Sequence, residues 1–313
     1  MSIGNKVKRV ISLLLAIITL GTFTSFAYAE NCQLSSTENT LHQEALLKIE
    51  PKVMEDMEKE EVVEVLVYMK DQLDSEKVAS DISNRLSSQM TPYNAKLAVR
   101  RGVVEALKDK SNVTQDNILK YLKQWEKEGK VIEYKSYYIV NMIYVKATTD
   151  VIEKICYFDE VERIYKNETH MLELPIKEEN KEENTEIEKT STGVEWNIAR
   201  INADQVWDFG FDGTGVVVGT IDSGVDWAHP ALKDKWRGYD PETGEIDPVG
   251  NWYDPWTGSQ VPVDGPSHHG THVMGTILGQ EPDGSNKIGV APGAKWIAVR
   301  AFNNIGMTTN ATL

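Results

Sequence analysis

Apolar positions along the chain fall into runs of different spacing, and each spacing predicts a different element. Val10 to Leu20 is an almost unbroken apolar stretch. Residues 31–60 are polar and helix-prone, and their pattern assigns them no role. "VVEVLVYMK", Val62 to Lys70, has the β-branched density of a buried strand. From Ser75 to Gly129, Leu, Val and Ile recur at helical spacings in a polar background, which predicts helices with Gly129 as the stop. "VIEYKSYYIVNMIYVKA", Val131 to Ala147, reads as two strands. "TTDVIEKICYF" opens on a Thr/Asp cap and predicts a short helix. "VERIYKN", from Val161, is a last strand.

The order strand, helix, two strands, helix, strand is the split βαβ arrangement of a ferredoxin-like α+β domain, expected over residues 61–172. Residues 173–192 differ. "IKEENKEENTEIEKTST" is almost devoid of apolar residues and cannot bury enough surface to offset the entropy of ordering. It reads as an acidic, solvated linker, and its charge requires no binding partner. From residue 193 Trp, Gly and Pro become frequent. "GTGVVVGTIDSGVD", Gly213 to Asp226, holds a continuous apolar strand, which predicts a parallel sheet covered on both faces. "GAKWIAVRAF", Gly293 to Phe302, is a second such strand. "HGTHVMGTILG" between them predicts a helix, and strand–helix–strand implies a right-handed crossover in an α/β domain. "MTTNATL", at the end of the chain, has the look of the opening turns of a helix.

Charge and targeting narrow the setting. The formal net charge of −15 disfavours nucleic acid as a partner, because phosphate binding needs clustered Lys and Arg. Lys6, Lys8 and Arg9 precede the apolar run, and Ala27-Tyr28-Ala29 follows it as a small-x-small cleavage site. Residues 1–29 therefore read as a secretory signal peptide, the mature chain beginning near Glu30 outside the cell. The apolar run is shorter than the ~20 residues a bilayer span needs, and no later run is long enough. Cys32 and Cys156 are the two cysteines. They fit one disulfide after export or two independent thiols equally well.

Candidate chemistry centres on Asp222 and His269. Asp222 sits at the carboxyl end of a buried strand, where open α/β sheets place functional groups. A carboxylate there needs hydrogen bonds or an opposite charge. His269 opens a helix whose positive end disfavours an imidazolium. A nearby carboxylate would offset that, fix the ring tautomer and leave a general base titrating near neutral pH. Three arrangements compete. A metal site could use His268, His269 and His272, but Gly270 stands where the His-Glu-x-x-His pattern needs its glutamate. An aspartyl protease could use "TIDSG", but that chemistry needs a second such carboxylate, and "DGTG" at Asp212 has the wrong order. The third is a nucleophile–base–orienter relay.

"VVVGTIDSGVDWAHPAL", "SHHGTHVMGTILG" and "IGVAPGAKWIAVRAF" together resemble the first half of a subtilisin-like serine protease catalytic domain, over about residues 195–313. The 61–172 region resembles the inhibitory, folding-assisting propeptide of the same proteases. The resemblance implies a secreted serine endopeptidase precursor, with Asp222 as the relay aspartate and His269 as the base. His268 then lies outside the relay and His272 is structural. Implied partners are a protein or peptide substrate and the chain's own propeptide, and no cofactor is needed for the chemistry. Two departures qualify this. The aspartate with which the family often binds calcium is replaced by Ala231, and Asp283–Asn286 is a weak alternative that turn chemistry explains. The nucleophilic serine of Gly-Thr-Ser-x-Ala, the oxyanion-hole Asn and the strand that pairs with substrate are expected to be absent. Residues 193–313 thus read as a truncated catalytic domain, inactive alone. The other reading is a non-catalytic fragment whose propeptide domain inhibits related proteases in trans. Trp236, Trp252, Tyr253 and Trp256, between the two motifs, are expected to pack their insert rather than line a substrate groove.

Overall fold

The computed structural model describes residues 42–86, 89–173 and 193–313. The signal peptide, Cys32 and residues 174–192 of the linker lie outside the described residues. Two compact units divide between Asn167 and Glu168.

In the first unit a short helical turn at 42–46 leads to helix α1, Pro51–Lys59, with proline in its first turn. Strand β1 is Val62–Met69. The predicted helical stretch is two helices, α2 over Ser75–Arg85 and α3 over Pro92–Glu126. Each is started by a side-chain cap. Asp74 accepts the Lys77 N–H at 2.9 Å, and Thr91 accepts that of Asn94 at 3.3 Å. Thr91 is extended, as a residue before proline prefers, which separates the helices. Strands β2, Val131–Tyr137, and β3, Met142–Thr148, follow. Helix α4, Thr149–Ile155, then leads into β4, Val161–Lys166. The sheet is antiparallel, in the order β2-β3-β1-β4.

The 35 residues of α3 bury one stripe only, Ser111, Gln115, Ile118 and Leu122, at the i, i+4, i+7, i+11 spacing of a helix face. Ile118 and Leu122 join the core with Val65, Val67, Ile143, Val145, Ile152 and Ile164. Gln115 is polar yet fully buried. Its amide donates to Asn141 Oδ1 at 2.7 Å and to the Tyr137 carbonyl at 2.9 Å, and its oxygen accepts from Ser136 at 2.5 Å. Asn141 in turn donates to the Asp71 carbonyl and to Thr114. This polar plug ties the long helix to the β2–β3 hairpin and to the end of β1.

The second unit contains β5, Thr169–Met171, two short helices α5, Trp196–Arg200, and α6, Ala203–Asp208, then β6, Val217–Asp222. Helix α7 is Pro230–Lys233, β7 is Trp252–Tyr253, α8 is His269–Leu278, β8 is Lys295–Arg300 and β9 is Met307–Thr309. Strands β6, β8 and β7 form a parallel sheet with β8 in the middle. The chain is thus a mixed α/β protein with separate antiparallel and parallel sheets. Trp236 and Trp296 are fully buried and stacked, and Trp252 joins the same cluster. Tyr253 is 49 % exposed, so the insert's aromatics divide between core and surface.

Two expectations fail here. Strand β6 is not covered on both faces. Its burial alternates, and Val217 and Ile221 are 41 % and 61 % exposed on the face away from α8. Met307–Thr309 is a strand, not a helix opening. Gly306 turns the chain at φ +74°, and β9 then pairs antiparallel with β5, Thr169 opposite Thr309 and Met171 opposite Met307. A partner strand 140 residues away supplies hydrogen bonds that local pattern cannot reveal.

Gln115→Leu keeps the size of the side chain but removes its hydrogen bonds to Ser136, to the Tyr137 carbonyl and to Oδ1 of the buried Asn141. Urea unfolding should show a loss of about 1–3 kcal/mol. Lys120→Ala, which breaks only the exposed pair with Asp116, should lose about 0–1 kcal/mol in the same assay.

Candidate active site

The site forms where the carboxyl end of β6 meets the first turn of α8. Asp222 is the last residue of β6 and His269 the first of α8. His269 Nδ1 lies 2.7 Å from Asp222 Oδ1. The same carboxylate oxygen accepts the Ser223 N–H at 2.6 Å. The side chains are 13 % and 27 % exposed, so the carboxylate is largely removed from water while the imidazole keeps an open edge. The Asp222 carbonyl accepts the Ala301 N–H at 2.7 Å, which ties the exit of β8 to the same point. Just before that exit, the buried Arg300 lies 3.4 Å from the carboxylate of the equally buried Asp254.

Two glycines permit this meeting. Gly270 follows His269, and a Cβ there would lie 2.0 Å from the Gly224 carbonyl oxygen. Gly224 has φ +114°, and a Cβ on it would lie 1.9 Å from the Val263 oxygen. Both contacts are with backbone, which cannot swing aside.

The first turn of α8 has no cap from its own N-cap residue, because His268 is left-handed at φ 51° and its side chain bonds nothing there. Its orphan N–H groups find partners elsewhere. His269 N donates to Ser267 Oγ at 3.4 Å, Gly270 N to Ser223 Oγ at 2.9 Å, and Thr271 N to Asp264 Oδ2 at 2.8 Å. Asp264, Ser223 and Thr271 were not singled out from the sequence. The only sequence signs of them are a hydroxyl residue directly after Asp222 and an Asp shortly ahead of a helix start.

His268 and His272 are both exposed, and the hydrogen bond at the site joins Asp222 to His269. At the other end of α8, Lys235 donates to the Leu278 carbonyl at 2.6 Å. Burial pulls its amine down to about 8, against a smaller opposing pull from Asp212. Ala231, where the family often carries its calcium aspartate, is buried and donates its N–H to His229 Nδ1, so it offers no side-chain oxygen. The carboxylate of Asp283 is engaged by the N–H and hydroxyl of Ser285. No group of three or more potential ligands suited to a metal occurs among the described residues.

Residues 213–313, which contain the pair, match the family model described as the subtilase family, Peptidase_S8. They belong to the subtilase family. The chain is 43 % identical over 267 residues to bacillopeptidase F of Bacillus subtilis, covering 83 % of this chain and 18 % of that protein. It is 31 % identical over 191 residues to the minor extracellular protease Vpr of the same organism, covering 58 % of this chain and 21 % of Vpr. It is 36 % identical over 111 residues to fervidolysin of Fervidobacterium pennivorans, covering 35 % of this chain and 14 % of that protein. The chain thus spans about a fifth or less of the length of each of these relatives. No described helix is long and apolar enough to cross a membrane.

Lys235 gives the subtilase segment a pH signature. The half-buried amine loses its proton near pH 8 when folded but only near 10.5 when unfolded, so between these values the unfolded chain binds more protons. Stability should therefore rise as pH increases through this window, measured by urea unfolding, and Lys235→Met should flatten the rise. Gly270→Ala should separate α8 from β6, seen as a markedly lowered melting temperature of the second unit.

Proposed function

We propose that this chain is the leading part of a precursor of a secreted subtilisin-like serine endopeptidase. The observation that carries the reading is the 2.7 Å contact between Asp222 and His269, with Asp222 held at a strand end and His269 at a helix start. In this reading Asp222 accepts the Nδ1 proton and fixes the tautomer that leaves Nε2 free. Nε2 takes the proton of a serine hydroxyl as that oxygen attacks the peptide carbonyl, and returns it to the leaving amine. The imidazolium formed in between is stabilised by the Asp222 carboxylate. The 313 residues contain no Gly-Thr-Ser-x-Ala, so the serine must come from outside them, and the chain alone hydrolyses no peptide bond. This chemistry requires no cofactor.

Residues 61–172 act as the propeptide, with a ferredoxin-like fold. The antiparallel strand order and the sequence of elements support this. Residues 168–172 act as its tail. Support comes from β5, which lies along the edge of β9, with Leu172 N donating to the Gly306 carbonyl at 2.7 Å and Asn310 N to that of Glu168 at 3.1 Å. An extended segment added to a free strand edge is how a peptide is held without side-chain selectivity. The same pairing favours a second reading, in which the propeptide unit restrains a related protease in trans. Cleavage in residues 173–192 would release it. Export is supported by the name of Vpr, an extracellular protease, and by the amino-terminal pattern.

A protein carrying residues 1–313 and continuing through a Gly-Thr-Ser-x-Ala serine should hydrolyse casein. His269→Ala should lower its kcat at least about 10⁴-fold. Activity retained after that substitution would remove His269 from the chemistry. The 313-residue chain, added at micromolar concentration to a complete relative, decides the second reading by whether casein hydrolysis slows.

A further inference from the structure

We infer that Asp264 is a positioning residue that sets the Asp222–His269 geometry through Ser223 and Thr271. The inference rests on the reading of that pair as orienter and base.

The Asp264 carboxylate gathers bonds from both sides of the pair. Its Oδ1 accepts the Ser223 hydroxyl at 2.6 Å and the Gly265 N–H at 2.7 Å. Its Oδ2 accepts the Thr271 N–H at 2.8 Å and the Thr271 hydroxyl. Ser223 is the neighbour of Asp222, and Thr271 is two residues beyond His269. The bracket closes because Ser223 Oγ, while donating to Asp264, accepts the Gly270 N–H. Thr271 Oγ1, while donating to Asp264, accepts the Asp226 N–H at 2.8 Å. One carboxylate thereby joins residues 223 and 226, after β6, to residues 270 and 271, in the first turn of α8.

The chemistry of the bracket requires a carboxylate. All four groups facing Asp264 are donors, and an ionised carboxyl accepts on both oxygens while donating nothing. An amide would turn its NH₂ toward two of those donors. Bonds from N–H and O–H to a charged acceptor are also about twice as strong as neutral ones. The negative charge sits at the start of α8, where the helix dipole favours it. Among the described residues, the His269 ring has Asp222 as its one side-chain hydrogen-bond partner. Its orientation toward Asp222 therefore depends on where the first turn of α8 is held.

The test uses the 313-residue chain with ¹⁵N-labelled histidine, reading the low-field proton on His269 Nδ1 by NMR. Wild type should show this resonance and Asp222→Asn should abolish it, which assigns it. Asp264→Asn should broaden it beyond detection while the near-ultraviolet signal of the stacked Trp236 and Trp296 stays unchanged. Thr271→Val should do the same, and Thr271→Ser, which restores the hydroxyl, should bring the resonance back. If the resonance survives in Asp264→Asn, the inference is overturned. If Asp264→Asn does not fold, the Thr271 variants decide, and survival of the resonance in Thr271→Val overturns the inference equally. Absence of the resonance in wild type would instead overturn the pairing of Asp222 with His269, and the inference with it.

Discussion

The close approach of two backbones, at Gly270 and Gly224, is the constraint on which the second unit depends. With about 2 Å between a would-be Cβ and a carbonyl oxygen on each side, no residue with a side chain fits. The approach places the start of α8 against the end of β6, where a carboxylate and an imidazole 47 residues apart meet in one hydrogen bond. It also creates a problem. Helix N–H groups pressed against a strand end cannot all reach water, and buried orphan donors are costly. Ser223 Oγ and the Asp264 carboxylate answer it from outside the helix. The capping of α8 and the orientation of the pair are in this sense one arrangement.

The two units solve a similar problem in similar ways. Apolar packing fixes which faces meet but is tolerant of small slides along a helix. In the first unit Gln115 and Asn141 remove that tolerance, locking the long α3 to a hairpin and a strand end. In the second, Lys235 holds the last carbonyl of α8 while Asp264 holds the Thr271 N–H of its first turn. A cation at the carboxyl end and carboxylates at the amino end both match the helix dipole. The helix carrying His269 is thereby fixed at both ends.

Electrostatics at the amino end of α8 are balanced locally. Asp222 and Asp264 bring two carboxylates to a chain already at a formal net charge of −15. Each is surrounded by donors. Asp222 has the Ser223 N–H and the imidazole, and Asp264 has two N–H groups and two hydroxyls. Strand β9 sits in the same unit, and residues 169–171 pair along it through backbone groups, with one side-chain contact between His170 and Asn310 beside the ladder. The Asp222–His269 pair and the β5–β9 ladder thus lie in different parts of the second unit, the first built from side chains and the second mainly from main chain.

Much of the local structure was legible in the sequence. The β-branched run of β1, the hairpin β2–β3, the capped α4 and the apolar runs of β6 and β8 carry their periods in adjacent residues. Asp222 and His269 were legible because a strand end and a helix start mark themselves. The sequence determined these elements because neighbouring residues alone set backbone preference and amphipathic face. Tertiary structure decided the rest. Met307–Thr309 became a strand only because Thr169–Met171 lies beside it. The outer face of β6 stayed open because covering it needs another layer, which a strand's own residues cannot provide. Asp264 acquired its role from donors on two other elements. Hydrogen bonds between segments far apart in the chain depend on where folding puts both partners, and no local pattern encodes that position.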